Sequence, residues 1–161
     1  LEKSPISIVG YSSIFIDPIS SSEDKKLDFA VERLSFLHQL ILSSKISKNL
    51  SLQLSPSMIH YNLILNNSYI HDILALGLGG RYKITKSTSI NLEWIPTLNN
   101  HSNYNNSFSF GVDIETGGHV FQLMATNSTG MYEKAFIGEN RGLWRDGDIH
   151  LGFNITRNFS F

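Results

Sequence analysis

The sequence contains no cysteine among its 161 residues, which excludes both a disulfide framework and a thiolate metal site. It also lacks any run of about 18 apolar residues, so a transmembrane helix is excluded. Charged residues make up only 17% of the chain, below the roughly 25% of a typical soluble domain, and the net charge is −1. Because there is no excess of basic residues, we expect no nucleic-acid partner.

The beginning of the chain lacks the charged, apolar and small-residue regions of a signal peptide. A strand-like stretch follows Leu1 almost at once. We therefore expect a fragment of a longer secreted chain, in which residues 1–161 form a single β-barrel domain or the C-terminal part of one.

The last stretch, from Asp148 to Phe161, alternates between apolar and small polar residues, with Arg157 as the exception on its apolar side. Successive side chains of a strand point to opposite faces, so this stretch has one apolar face and one polar face. The polar face carries almost no charge, which is typical of strands that have lipid outside and a polar lumen inside. We expect Arg157 close enough to the membrane interface for its guanidinium to reach water.

Seven earlier stretches resemble strands, so that eight strands are predicted, at 5–16, 28–46, 50–65, 73–85, 89–97, 107–116, 119–127 and 148–161. The second stretch has an amphipathic helix as its alternative, because several of its apolar residues also fall near helical spacing. In the third, the alternation changes phase after Pro56, which predicts a β-bulge there. Gly117 and Gly118 predict a two-residue hairpin turn.

Short and long connections alternate between these strands. The short ones are 47–49, 86–88 and 117–118, and the long ones are 17–26, 66–72, 98–106 and 128–147. Outer-membrane barrels show this asymmetry, with tight periplasmic turns and longer extracellular loops. The sequence therefore predicts an all-β fold, an antiparallel up-and-down transmembrane β-barrel, with the C-terminus on the periplasmic side.

Charged residues on the polar faces of the strands are predicted to line the lumen: Arg81, Lys83, Glu93, Asp113 and Glu115. An unpaired ion in a filled barrel interior costs several kcal/mol, so we expect these carboxylates to pair with Arg81 or Lys83. A metal site formed by Asp113, Glu115 and His119 is the alternative. We expect no metal, no cofactor and no catalytic residue.

The final segment N-I-T-R-N-F-S-F resembles the C-terminal assembly signal of outer-membrane β-barrel proteins. Asn154, Phe159 and Phe161 match that signal, whereas Thr156 stands where glycine is usual. The resemblance implies recognition by the barrel-assembly machinery.

Longer segments resemble an uncharacterised family of outer-membrane β-barrel proteins of Gram-negative bacteria, a domain of unknown function. They are R-L-S-F-L-H-Q-L-I-L (33–42), L-S-L-Q-L-S-P (50–56), L-G-L-G-G-R-Y-K-I-T-K (76–86), D-I-E-T-G-G-H-V-F-Q-L (113–123), M-Y-E-K-A-F-I (131–137) and G-D-I-H-L-G-F-N-I-T-R (147–157). The resemblance implies the bacterial outer membrane and a barrel of about twelve strands, of which this chain would be the C-terminal portion. It implies no activity.

The last long connection is more apolar than a solvated loop needs to be. Its Tyr132, Phe136 and Trp144 are candidates to enter the barrel mouth or to contact a partner. We expect a non-enzymatic barrel in contact with outer-membrane lipid, acting as a small-solute channel or as a structural subunit of an envelope complex with other envelope proteins. The alternatives are a soluble lipocalin-like barrel with an apolar ligand and, less favoured, an outer-membrane hydrolase.

Overall fold

The computed structural model describes residues 5–17, 33–62, 70–99 and 104–157. The strands in these ranges are β1 (Ile6–Ile16), β2 (Leu34–Lys45), β3 (Leu50–Tyr61), β4 (Asp72–Lys83), β5 (Thr88–Ile95), β6 (Ser107–Thr116), β7 (His119–Thr126) and β8 (His150–Arg157). Between β7 and β8 lie a π-helical turn, Lys134–Gly138, and a 3-10 turn, Trp144–Asp146. Neither these turns nor any other helix in the described ranges is long and apolar enough to span a bilayer.

All eight strands form one antiparallel sheet in sequence order, which confirms the predicted up-and-down topology. The sheet is a half-barrel, with β1 and β8 as its two edges. Within the described ranges β1 pairs only with β2, and β8 only with β7.

The strand connections define two ends of the half-barrel. The strand ends joined by the short connections 46–49, 84–87 and 117–118 lie on one side, called here the turn end. The strand ends joined by the long connections 17–33, 62–71, 96–106 and 127–149 lie on the other side, the loop end. At the turn end, Gly117 and Gly118 have φ of 56° and 83° and close the tight hairpin between β6 and β7. Positive φ at both central residues is what a type I′ turn requires, so the hairpin prediction is confirmed.

The two faces of the sheet differ sharply in composition. One face, called the outer face, exposes large apolar side chains on every strand; they include Ile8, Leu40, Leu54, Leu78, Leu92, Phe110, Leu123 and Leu151. The inner face carries mostly small or polar residues such as Ser55, Gly77, Ser109 and Gln122. Such a surface would be unfavourable in water, because exposed apolar patches of this extent are rare on soluble monomers.

β3 is continuous, so the predicted β-bulge at Pro56 is wrong. Its pairing with β4 runs without a register shift from Leu50 opposite Tyr82 to His60 opposite Asp72. The phase change instead reflects a change in what the inner face contacts. Ile59 lies on the same inner face as Ser55 and Ser57. Toward the loop end this face is apolar, and Ile59 is buried in the apolar core there.

A small apolar core lies on the inner face at the loop end. Its buried members are Leu37, Ile59, Ile73, Ala75, Ile95 and Ile137. Five of these come from β2 to β5, and Ile137 comes from the connection between β7 and β8. The core therefore binds that connection to the sheet.

The predicted second and third strands extend beyond the described residues. β2 is a strand from Leu34 to Lys45, paired along its length with β1, so the helical alternative is wrong for this segment. Residues 28–32 of that prediction lie outside the described residues, as does the stretch 63–65 beyond β3.

Candidate functional site

The connection 127–149, called here the covering loop, folds back onto the inner face. Ile137 is only 2% exposed and packs in the apolar core with Ile59 and Ile73. At the next residue, a Cβ on Gly138 would lie 2.5 Å from the Tyr61 hydroxyl oxygen and 3.3 Å from the Cδ1 atoms of Ile59 and Ile73. The loop approaches the sheet this closely because glycine has no side chain.

A buried lysine fixes the covering loop to the end of β1. Lys134 is 2% exposed, and its Nζ forms ion pairs with Asp17 and with Glu139, the latter at 3.2 Å. The same Nζ lies 5.4 Å from the centroid of the Tyr61 ring, which adds a cation–π contact.

Burial by itself would lower the pKa of Lys134, but the hydrogen bond that Lys134 donates to Asp17 and the charges of Glu139 and Asp17 outweigh it and raise the pKa above its ordinary value. The ammonium therefore stays charged at neutral pH. Its contribution to loop docking is fully present below the ordinary lysine pKa and is lost only as the pH rises through the raised one.

Asn127 joins the start of the covering loop to a later part of the same loop and to the start of β6. Its side chain accepts a hydrogen bond from the Phe108 N–H at 2.8 Å and donates to the carbonyls of Asn106, at 3.1 Å, and Gly142, at 2.8 Å. The contact is close, since a Cβ on Gly142 would lie 2.0 Å from the Asn127 carbonyl oxygen. Asn127 begins an Asn-Ser-Thr sequence, but its buried amide is already used in this contact.

A second set of contacts joins the covering loop to residues 104–108. The backbone of Asn105 donates to the carbonyl of Asn140 at 2.7 Å, and the Asn105 side chain donates to the carbonyl of Arg141 at 2.8 Å. Asn140 returns a side-chain bond to the Asn105 carbonyl at 3.2 Å. The loop is thus attached to β1, β3 and the start of β6, and its position does not depend on one contact.

The three aromatic residues proposed from the sequence take different positions. Phe136 packs against the apolar core. Trp144 donates from Nε1 to the Phe108 carbonyl at 3.0 Å and meets the Phe108 ring edge-on at 5.8 Å. Tyr132 is exposed, with its ring centroid 5.8 Å from that of Phe15. Of the three, Tyr132 presents the most surface for a partner.

Toward the turn end, the inner face carries a network of charged and amide side chains. Arg81 Nη2 lies 3.0 Å from a Glu115 oxygen and 3.4 Å from an Asp113 oxygen. Asp113 also accepts hydrogen bonds from Asn91 Nδ2 at 2.7 Å and Gln122 Nε2 at 2.9 Å. The network therefore links four neighbouring strands, β4 to β7.

The two other charges predicted for the lumen lie on the same face but outside this network. Lys83 sits at the turn end of β4, and Glu93 lies on β5 between the network and the apolar core. Neither has an ion pair with another residue in the described part of the chain.

The proposed metal site is not formed. Asp113 and Glu115 lie on the inner face, whereas His119 pairs with Thr116 and lies on the outer face, because side chains alternate along a strand. Among the described residues no group of three histidine or carboxylate side chains could hold a metal ion. A Ser12–His38 hydrogen bond of 2.9 Å is present, but it lies on the outer face and has no carboxylate beside it in the described ranges.

Of the predicted assembly signal, only Asn154 falls in the described part, on the inner face of β8 opposite Gln122. Phe159 and Phe161 lie outside the described residues. Arg157 is the last residue of β8 and pairs with His119 at the turn end.

A family model described as a membrane-bound beta barrel domain, DUF5777, matches residues 1–159. The chain belongs to this family. This confirms the resemblance noted in the sequence and makes the apolar outer face the membrane-facing side of the sheet. A soluble lipocalin-like barrel does not fit, because its apolar side chains would turn inward. No curated protein and no solved structure matches the chain.

The sequence did not single out the residues that position the covering loop: Asp17, Asn127, Lys134 and Gly138. Lys134 could have drawn attention because it is a cation directly before the apolar segment A-F-I-G. Nothing in the sequence indicates its partner, since Asp17 is 117 residues away.

Proposed function

We propose that this domain forms part of a small-solute pore in the bacterial outer membrane, and that the covering loop limits the opening of the pore. The observation behind this proposal is a cavity of about 480 Å³ between the inner face and the covering loop. Small, polar and apolar residues of β3 to β7 line one side, and Gly130, Met131 and Phe136 of the loop line the other. A cavity with several polar side chains beneath an inward-folded loop supports a restricted path for small solutes.

Among the described strands, β1 and β8 each pair on one side, and this supports a larger barrel. Unpaired backbone groups cost several kcal/mol each in hydrocarbon, so a sheet that spans a bilayer needs both edges paired. We infer that further strands pair with β1 and β8 and close a barrel of about twelve strands. In that barrel the loop end faces outward from the cell, and the C-terminal segment with Asn154, Phe159 and Phe161 is read by the barrel-assembly machinery.

Excision of the covering loop tests the pore directly. Asn127 touches Gly142, so residues 129–141 can be replaced by two glycines without separating β7 from β8. In planar bilayers we expect the full-length protein to show small or intermittent currents and the excised variant to show larger, steady ones. The absence of current from both proteins would contradict the pore.

A structural subunit of an envelope complex is the second candidate, and two exposed apolar residues favour it. Met131 is 63% exposed, and Tyr132 lies beside it at the loop end. The double variant Met131→Ser/Tyr132→Ser leaves the buried loop contacts in place. If this variant loses co-purifying envelope proteins, and neither the full-length protein nor the loop-excised variant carries current, the structural role replaces the pore. Neither candidate involves catalysis.

A further inference from the structure

Glu93 projects from the inner face of β5 into the cavity beneath the covering loop. Its cross-strand neighbours are Gly79 on β4 and Ser109 on β6. One neighbour has no side chain and the other a short one, so neither covers the partly buried Glu93 side chain, which lines the cavity. It accepts no hydrogen bond from any described residue.

The nearby amide and hydroxyl donors on the neighbouring strands bond to other acceptors. Asn91 Nδ2 donates to Asp113 Oδ1 at 2.7 Å, Gln53 Nε2 donates to Ser55 Oγ at 3.1 Å, and Ser109 Oγ donates to Thr126 Oγ1 at 2.9 Å. The sheet therefore leaves this one carboxylate without a protein donor, although amide and hydroxyl groups lie nearby.

The other charged residue that lines the cavity does not compensate Glu93. Arg81 is held between Asp113 and Glu115, at 3.4 Å and 3.0 Å. One cation facing two carboxylates already leaves that group with an excess of negative charge. Glu93 adds a further negative charge at the cavity wall.

From this arrangement we propose that the pore prefers cations, and that Glu93 is the residue that determines this preference. The inference rests on the proposed pore function and names its substrate class: small cations, either inorganic or amine-bearing. A fixed charge beside low-dielectric walls raises the local concentration of ions of opposite sign. A cation passing Glu93 takes the place of the hydrogen-bond donor that the described residues do not supply to its carboxylate.

Reversal potentials in a KCl gradient test this inference, measured on the full-length protein and on the loop-excised variant. We expect both to be cation-selective. Replacing Glu93 by Gln should lower the ratio of potassium to chloride permeability by about two- to fivefold, the effect of one unit charge a few ångströms from the ion path. Glu93→Lys should lower it further, toward anion preference. Asp146→Asn removes the same charge from an exposed part of the covering loop and should leave the ratio unchanged.

The outcomes separate the two proposals. A current whose selectivity is the same in wild type and in Glu93→Gln, or an anion-selective wild type, overturns the role of Glu93 and leaves the pore intact. If neither the full-length protein nor the loop-excised variant carries current, both the pore and the inference are contradicted. A ratio that falls equally in Asp146→Asn and Glu93→Gln also overturns it, since the effect would then be one of total charge.

Discussion

Replacing Lys134 by methionine is expected to speed chymotrypsin cleavage of the covering loop by about ten- to a hundredfold. Methionine is an unbranched side chain one atom shorter than lysine, and it removes the charge that faces Asp17 and Glu139. Removing one partner of a buried ion pair costs roughly 3–5 kcal/mol. Because the Asp17 side chain is 52% exposed and can be solvated again, we expect about 1.5–3 kcal/mol here.

Cleavage reports this change because chymotrypsin cuts only the opened loop, whose population follows the free energy of opening. Tyr132, Phe136 and Trp144 provide the cleavage sites. Arg145→Met is the matched control: it removes a cation from the same loop, but the Arg145 side chain is 80% exposed and, among the described residues, forms an ion pair with Asp146 alone, at 3.4 Å. Its effect should stay within about threefold. Equal cleavage of the two variants would show that Lys134 does not hold the loop.

A methyl group on Gly138 should open the loop almost as strongly. The new Cβ would lie 2.5 Å from the Tyr61 hydroxyl oxygen, closer than any stable contact. Overpacking of this kind costs roughly 1–3 kcal/mol, which corresponds to about five- to a hundredfold faster cleavage. The closest contact is with one atom of Tyr61, whereas the Cδ1 atoms of Ile59 and Ile73 lie at 3.3 Å, so a second substitution at Tyr61 should relieve most of the strain.

Tyr61→Phe supplies that second substitution. It removes the clashing oxygen, keeps the ring beneath Lys134, and loses only a long hydrogen bond of 3.5 Å to Glu139. Alone it should change the cleavage rate by less than about threefold, and with Gly138→Ala it should restore most of the protection. If the double variant is cleaved as fast as Gly138→Ala alone, the close approach of loop and strand at this point is wrong.

The strands, their order and the tight turns could be predicted because their signals are local. Alternation with a period of two marks each strand, and Gly117-Gly118 marks a turn that only glycine accommodates readily. The sorting of connections into short and long then indicates an up-and-down sheet. For the same reason the charges of β4, β5 and β6 could be assigned to one face.

The covering loop could not be predicted in the same way, because its contacts join residues far apart in sequence. Nothing in the neighbourhood of Lys134 indicates that Asp17 is its partner. The phase change at Pro56 was ambiguous for a related reason: an extra residue in the strand and an apolar partner on the inner face leave the same pattern in the sequence. The position of Ile137 decides between them, since it supplies the apolar partner for Ile59.

The inward fold of the covering loop can be measured most directly with single cysteines, because the native chain has none. Met131→Cys and Ile137→Cys lie six positions apart in one loop, and the native side chains are 63% and 2% exposed. With a water-soluble maleimide added to the folded protein, we predict that Cys at 131 reacts at least about tenfold faster than Cys at 137. Equal rates would contradict a loop that is folded into the half-barrel.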